Sequence, residues 1–230
     1  MITELENALV KNRLNFHPVV DFNPEKEKLF QFDFTSANTE LGPLNISDTN
    51  IFSEYVNNKL KESGSKYGIG GYNENRTVYR RSKLFDGKEE RSVHLGIDIW
   101  GPAGTRVYAA LGGMVHSFAY NEGFGDYGAT IILLHQLETI SFHTLYGHLS
   151  LKDISRLSEG AYITRGEVLG HFGESNENGH WPPHLHFQII RDVRIKNGDY
   201  PGVCTLSERK AYLHNCPNAD LVLDMMKYIR

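Results

Sequence analysis

Gly166–Arg191 reads GEVLGHFGESNENGHWPPHLHFQIIR, and the chain can be ordered around its His184-Leu185-His186. Residues two apart on an extended strand point to the same face. Leu185, Phe187, Gln188, Ile189 and Ile190 read as a strand, and Pro182-Pro183 holds its entry extended. Two imidazoles therefore project side by side from one rigid element, where a metal site or a proton-transfer site can be built. The bland alternative is a surface strand carrying two histidines by accident.

Upstream, from Thr77, short β-rich segments alternate with glycine turns. Strands are expected at Val78–Ser82, Val93–Ile99, Arg106–Ala110, Gly113–Tyr120, Ala129–His135, Ile140–His148, Ala161–Thr164, Val168–Phe172 and Leu185–Arg191. Many short strands without long helices between them imply a mostly-β fold, an antiparallel sheet sandwich or open barrel with a groove. Before Thr77, Thr3 and Glu6 have the form of a capping box opening a short helix, and Leu29–Phe34 alternates like a strand. Asp48–Glu62 carries the apolar stripe Ile51, Phe52, Tyr55, Val56 and Leu60 of a helix that Ser63-Gly64 ends. A last helix is expected at Ala219–Ile229. The division is an extension over 1–76, a β domain over 77–200 and a tail over 201–230. No chemical motif is visible up to about Arg76.

Composition narrows the function classes. With 24 basic against 28 acidic residues the formal charge is −4, and nothing suggests a nucleic-acid partner. The N-terminus lacks a basic segment followed by an apolar one, and no run is apolar enough to span a bilayer. The sequence as written thus leads to an expected cytoplasmic location, with the cell envelope left open. Cys204 and Cys216 are not in a C-x-x-C arrangement and are expected as free thiols or one disulfide. Eleven histidines are present, nine of them between His94 and His186, so imidazole chemistry is concentrated in the β region.

Two further motifs join the His-Leu-His. In His94-Leu95-Gly96-Ile97-Asp98 the separation of the polar residues is even, so a strand places both on one face; both are good zinc ligands. In Thr144-Leu145-Tyr146-Gly147-His148, the histidine closes an alternating strand and shares parity with Phe142, Thr144 and Tyr146. A catalytic zinc site has three protein ligands and an open position. His94, Asp98 and one of His184 and His186 could supply the three; parity does not say which. The two remaining histidines could then orient a water, whose pKa a metal lowers to about 7, and stabilise an oxyanion.

From Arg91 to Arg191 the chain resembles the lysostaphin/LytM-type zinc metallo-endopeptidases of peptidoglycan. GPAGTRVYAALGGMVHSF, DYGATIILLH, TLYGHLS and GAYITRGEVLGHFG look like the successive strands and turns that lead to PHLHF in that family. The resemblance implies one zinc ion per chain, held by His94, Asp98 and His186, with His184 and His148 as the catalytic pair. It implies a peptide or peptidoglycan-fragment substrate, with Tyr146, His180 and Trp181 expected at the groove. The sequence departs from the family at GESNENGHWPP before the strand and at Gln188, where many members carry Glu; both changes are expected around the groove rather than in the metal shell. The WPPHLHFQI stretch with the DYPGV…CPNADLVL tail is closer to the variant found fused with class III aminotransferase domains, which implies another small intracellular peptide or amide as the alternative substrate. A non-catalytic peptide-binding module is a further alternative, but degenerate members usually lack ligands and here none is missing.

Overall fold

The structure is a computed structural model describing residues 2–194 and 197–229. Its strands are β1 Leu29–Phe32, β2 Tyr67–Gly70, β3 Arg91–His94, β4 Ile97–Trp100, β5 Arg106–Tyr108 and β6 Gly113–Asn121, followed by β7 Gly128–Leu137, β8 Ile140–Leu149, β9 Tyr162–Ile163, β10 Val168–His171, β11 His184–Ile190 and β12 Val203–Thr205. The helices are α1 Glu4–Asn12, α2 Thr49–Ser63, α3 Leu151–Ile154, α4 Arg209–Asn215 and α5 Asp220–Leu223. An eight-stranded sheet in the order β1-β2-β4-β11-β8-β7-β6-β9 forms the centre; β10 pairs with β5 and β12 with β3 in small two-stranded sheets. The sheet does not close into a barrel, and the architecture is mostly β as expected.

The strand bearing the two histidines lies in the middle of the sheet, antiparallel to β4 on one side and to β8 on the other. Its odd-numbered residues Leu185, Phe187 and Ile189 enter the principal apolar core with Leu5 and Leu9 of α1 and Val222 of α5. Its even-numbered residues face the other side. There an aromatic cluster of Phe32, Phe34, Phe52, Trp100 and Trp181 packs on one flank, and Val93, Tyr127, Leu145, Cys204 and Cys216 pack on the other. Both cysteines are buried and free.

The N-terminal region is built into this sheet. β1 and β2 pair in parallel, and α2 is the crossover that a parallel pair needs. Asp48 accepts from the backbone N–H of Asn50 at 2.8 Å to cap α2, and Gly64 ends it at φ 64°, a left-handed conformation that glycine adopts without a Cβ penalty. Phe52, Val56 and Leu60 are buried, while Ile51 of the expected stripe turns to solvent. α1 has the expected capping box.

Three expectations are corrected. Val78–Ser82 is not a strand: Val78–Arg81 is a 3₁₀ turn with local i to i+3 bonds, and burial falls on 78, 79, 81 and 82 rather than on alternate residues. The expected strand Val93–Ile99 breaks at Leu95-Gly96 into β3 and β4, which lie in different sheets. The C-terminal helix is only Asp220–Leu223. Asp220 Oδ1 accepts from the N–H groups of Met225 and Met226 at 2.9 and 3.0 Å, Asp224 turns left-handed, and a 3₁₀ turn follows. A side chain that offers the backbone such bonds competes with helix continuation.

Of the histidines outside the motifs, His135 is the most committed to the fold. Its Nδ1 lies 2.9 Å from the Gly112 carbonyl and its Nε2 2.7 Å from Thr144 Oγ1. Burial pushes its pKa down to about 4, against the Gly112 carbonyl, which favours the charged ring. The unfolded chain therefore binds a proton here that the folded chain refuses, and the stabilisation present above about pH 6.5 is lost as pH falls towards 4. In metal-free protein, His135→Gln should reduce the loss of urea-unfolding free energy between about pH 7 and about pH 4.5, by at most about 3 kcal/mol. An unchanged loss would mean that His135 does not titrate in this way.

Candidate active site

Asp98 and His186 sit directly opposite each other on β4 and β11, which brings an antiparallel pair within contact. His186 Nδ1 is 3.0 Å from Asp98 Oδ1. His94 ends β3, in another sheet, and reaches the same point because the chain turns at Leu95-Gly96: its Nε2 is 3.2 Å from Asp98 Oδ1 and 3.0 Å from His186 Nδ1. Shared strand parity is thus not the reason that His94 and Asp98 meet. Gly96 is required at the turn, since a Cβ there would stand 2.7 Å from the His186 ring and 2.6 Å from the Phe187 carbonyl.

The surrounding bonds fix what each atom offers. His94 Nδ1 is 3.0 Å from the Gly71 carbonyl, which can only accept, so the proton is on Nδ1 and the Nε2 lone pair faces inward. His186 Nε2 is 2.8 Å from Gln188 Oε1, whose amide nitrogen donates to the Pro201 carbonyl at 3.2 Å and to Cys216 Sγ at 3.3 Å. His186 therefore carries its proton on Nε2 and turns the Nδ1 lone pair inward. Asp98 Oδ2 accepts from Arg76 Nη1 at 2.5 Å, leaving Oδ1 for the centre. Burial alone would push the Asp98 carboxyl up, but the Arg76 guanidinium beside it counters this, and the carboxyl is held well below the usual carboxylate range. Burial, with Arg76 beside it, lowers His94 to about 4.

Three buried acceptor atoms thus face one another at 3.0–3.2 Å without a proton among them. Such an arrangement repels itself unless a cation occupies its centre. Tetrahedral zinc with bonds of about 2.0–2.1 Å separates its ligand atoms by roughly 3.3 Å, so the donor set and its spacing fit that ion.

His184 and His148 lie beside this centre. His184 Nδ1 is 2.8 Å from the Pro182 carbonyl, and His148 Nδ1 is 2.8 Å from the Asn178 carbonyl; in both rings Nε2 is left as the acceptor. The rings stack on each other at 4.1 Å between centroids, and His184 stacks on Trp100 at 3.8 Å. Burial lowers His184 to about 4, and burial with the neighbouring His184 holds His148 well below the usual imidazole range, so both are neutral at neutral pH. His148 does not share the face of Tyr146. The β7–β8 register shifts between Ala129 and Ile131, His148 takes φ 62°, and this bulge turns its side chain to the site while Tyr146 and Leu149 stay in the core.

A cavity of about 180 Å³ opens over the centre, lined by His148, His184, His186, Asp98, Trp100, Trp181 and Tyr127 among others. Of the three expected groove residues only Trp181 lines it. Tyr146 is buried on the opposite face, where its hydroxyl accepts from Ala110 N at 3.1 Å. His180 is exposed and stacks on Phe124 at 5.6 Å. Gln188, expected near the groove, instead holds His186. Arg76 and Gly71 are thus residues at the centre that spacing did not reveal, because each reaches it through the tertiary fold, whereas Gln188 shares the strand face of His186 two residues away.

Residues 92–199 match the model of Peptidase family M23. This segment is an M23-family metallopeptidase domain. It contains His94, Asp98, His148, His184 and His186, whereas Gly71 and Arg76 precede it. Among solved structures, the catalytic domain of lysostaphin from Staphylococcus simulans is 20% identical over 69% of this chain and 97% of its own, with a TM-score of 0.41. Csd3 of Helicobacter pylori is 24% identical over 54% of this chain and 32% of its own, with a TM-score of 0.35. A zinc-containing peptidase from Vibrio cholerae is 24% identical over 52% of this chain and 31% of its own, with a TM-score of 0.37. The matched part is thus about a third of the length of the latter two proteins. No curated protein sequence matches the chain significantly. Among the described residues no helix is long and apolar enough to cross a membrane.

Two substitutions test the supports of the M23 centre. Gln188→Ala removes the acceptor that orients His186 and should weaken zinc binding about 10- to 100-fold in a chelator competition. Arg76→Ala leaves a buried carboxylate oxygen unpaired and should destabilise the metal-free protein by about 3–5 kcal/mol in urea. Zinc affinity and stability at the parental level in either variant would contradict the assigned contacts.

Proposed function

We propose that the chain is a zinc-dependent metallo-endopeptidase that hydrolyses an amide bond in a peptidoglycan-like peptide. The observation that carries this reading is the convergence of three acceptor atoms of His94, Asp98 and His186 at 3.0–3.2 Å, with two neutral imidazoles beside them. One zinc ion held there would supply Lewis acidity and lower the pKa of water to about 7.

The chain's own residues account for the remaining chemistry. His148 and His184 each hold Nδ1–H on a backbone carbonyl and keep Nε2 free to accept a proton at neutral pH. A ring that has accepted that proton becomes a donor at Nε2, able to stabilise the developing oxyanion or to protonate the departing amine. Trp100 and the stacking of the two rings keep both imidazoles in plane and leave them little freedom to rotate. Trp181, Tyr127 and Trp100 restrict water around the reacting atoms. On this reading residues 77–200 hold the reacting groups, and the N-terminal region completes their surroundings through Gly71 and Arg76.

The roles separate experimentally. His94→Ala and Asp98→Ala should lose zinc, whereas His148→Ala should retain stoichiometric zinc and lose at least about 100-fold in turnover of a short glycine- or D-amino-acid-containing peptide. Zinc is read by mass spectrometry of the intact protein and turnover by chromatography of products. Full turnover by His148→Ala would refute its catalytic role.

A further inference from the structure

The cavity over the metal centre carries two carboxylates that the metal and the imidazole pair do not use. Asp126 lies in the loop between β6 and β7, and Asp199 in the segment that leads from β11 to β12; both are half-buried and both line the cavity. The two segments meet there, because a Cβ on Gly202 would collide with the Tyr127 hydroxyl. Neither carboxylate is a metal ligand: among the described residues the metal-ligating cluster is His94, Asp98 and His186.

The fold does not neutralise either group. Among the described residues neither Asp126 nor Asp199 takes part in an ion pair. Asp126 Oδ1 accepts from the Tyr127 backbone N–H at 2.8 Å. The guanidinium groups that line the cavity are engaged elsewhere. Arg76 pairs with Asp98 and Glu74, while Arg91 donates to the Leu84 carbonyl and lies over the Phe85 ring at 5.5 Å. Burial raises the pKa of Asp126 and the like charge of Asp199 raises it further, against the Tyr127 N–H and the more distant Arg91. Two like charges held near each other and partly out of water are costly unless a cation joins them.

The rest of the lining suits a cation as well. Tyr79, Phe85, Trp181 and Tyr200 border the same space, and aromatic rings attract a cation over their faces. The Tyr127 side chain is only 8% exposed, and its hydroxyl has His186 Nε2 at 3.5 Å as its hydrogen-bond contact among the described residues. The proton on that nitrogen goes to Gln188 at 2.8 Å, so the hydroxyl oxygen keeps a lone pair for a donor in the cavity. A primary ammonium group meets these demands together: it is positive, it offers three N–H donors, and it is small against a space of about 180 Å³.

We propose that Asp126 and Asp199, with the Tyr127 hydroxyl, hold a free ammonium group of the substrate, so that the amide cleaved lies beside a charged amine. The α-amine of a peptide N-terminus and a short amino side chain present the same chemistry. The inference rests on the metallopeptidase reading for the reaction and adds the charge of the substrate.

The test uses zinc-loaded full-length protein and two pairs of probes. The first pair is an oligoglycine amide with a free α-amine and its N-acetyl form. The second pair is N-acetyl oligoglycine amide with one residue replaced by ornithine or by its uncharged counterpart norvaline. Products are followed by chromatography and mass spectrometry. In at least one pair, kcat/KM should be at least about tenfold higher for the ammonium-bearing probe, the effect of one charge-assisted hydrogen bond; the pair that responds names the source of the amine. The double variant Asp126→Asn, Asp199→Asn should bring that ratio near one while zinc, read by mass spectrometry of the intact protein, stays bound. Calorimetric binding of the same probes to zinc-loaded His148→Ala reads the subsite apart from turnover. Preferential binding of the ammonium-bearing probes without cleavage by the parental protein would keep the subsite and overturn the peptidase reading. Equal cleavage within both pairs would overturn the subsite and leave the peptidase reading intact, and neither preference nor cleavage would overturn both. An unchanged ratio in the folded variant, or its loss of zinc, would also overturn the subsite. If the double variant does not fold, Asp199→Asn alone and the parental comparison decide.

Discussion

The Asp98 carboxylate is the interaction on which the other contacts of the centre depend. Its two oxygens do different work: Oδ2 takes a charge-assisted bond from Arg76, and Oδ1 completes a triangle with His94 and His186. Without Arg76 the carboxylate could rotate, and a bidentate geometry would compete with the single-oxygen arrangement. Without Asp98 the buried Arg76 guanidinium would keep, among the described residues, Glu74, Tyr79 and the Gly71 carbonyl as hydrogen-bond partners. A buried ion pair of this kind is weak as a source of stability but strong as a source of position, since breaking it from either side leaves a charge away from water. The same guanidinium joins the N-terminal region to the M23 domain at the point where precision matters most.

That coupling explains why the N-terminal region cannot be regarded as an appended arm. β2 lies beside β4, the strand of Asp98, and a Cβ on Gly70 would stand 2.6 Å from Arg76. Gly71 supplies the carbonyl that fixes the His94 tautomer. The α2 crossover places Phe52 among Phe34, Trp100 and Trp181, and Trp100 is the surface against which His184 stacks. A chain of ring contacts therefore runs from a helix in the first third of the sequence to one of the two imidazoles of the site.

The sequence disclosed the parts of this arrangement that depend on local periodicity. The His-Leu-His strand, the strands from Gly113 to Leu149 and the two capped N-terminal helices all follow from patterns of two or about 3.6 residues and from caps. It misled where a single backbone irregularity changed the face of a residue. His148 joins the site because a bulge interrupts the alternation that would have placed it with Tyr146, and His94 joins it across a break between sheets. The residues of the three motifs thus converge for geometric reasons that differ in part from strand parity. Arg76 was invisible because nothing local distinguishes a buried, paired arginine from a solvated one. The early end of the C-terminal helix at Asp224 turned on the Asp220 side chain, whose competing bonds no stripe of apolar residues reveals.

Gln188 shows how much a neutral residue can change in such a setting. The immediate charges are the Asp98 carboxylate and the Arg76 guanidinium, which also pairs with Glu74, while His94 is held neutral by burial. Gln188 accepts from His186 Nε2 without adding charge. A carboxylate at the same position would polarise the ring further and raise its basicity as a ligand. With an amide there, the two positive charges of a divalent ion meet less compensation, which favours a more electrophilic ion held less tightly. The amide nitrogen also needs acceptors, and it finds them in the Pro201 carbonyl and Cys216 Sγ. Glutamate would place a carboxylate oxygen against that carbonyl, so the residues around Cys216 and Pro201 suit glutamine at this position.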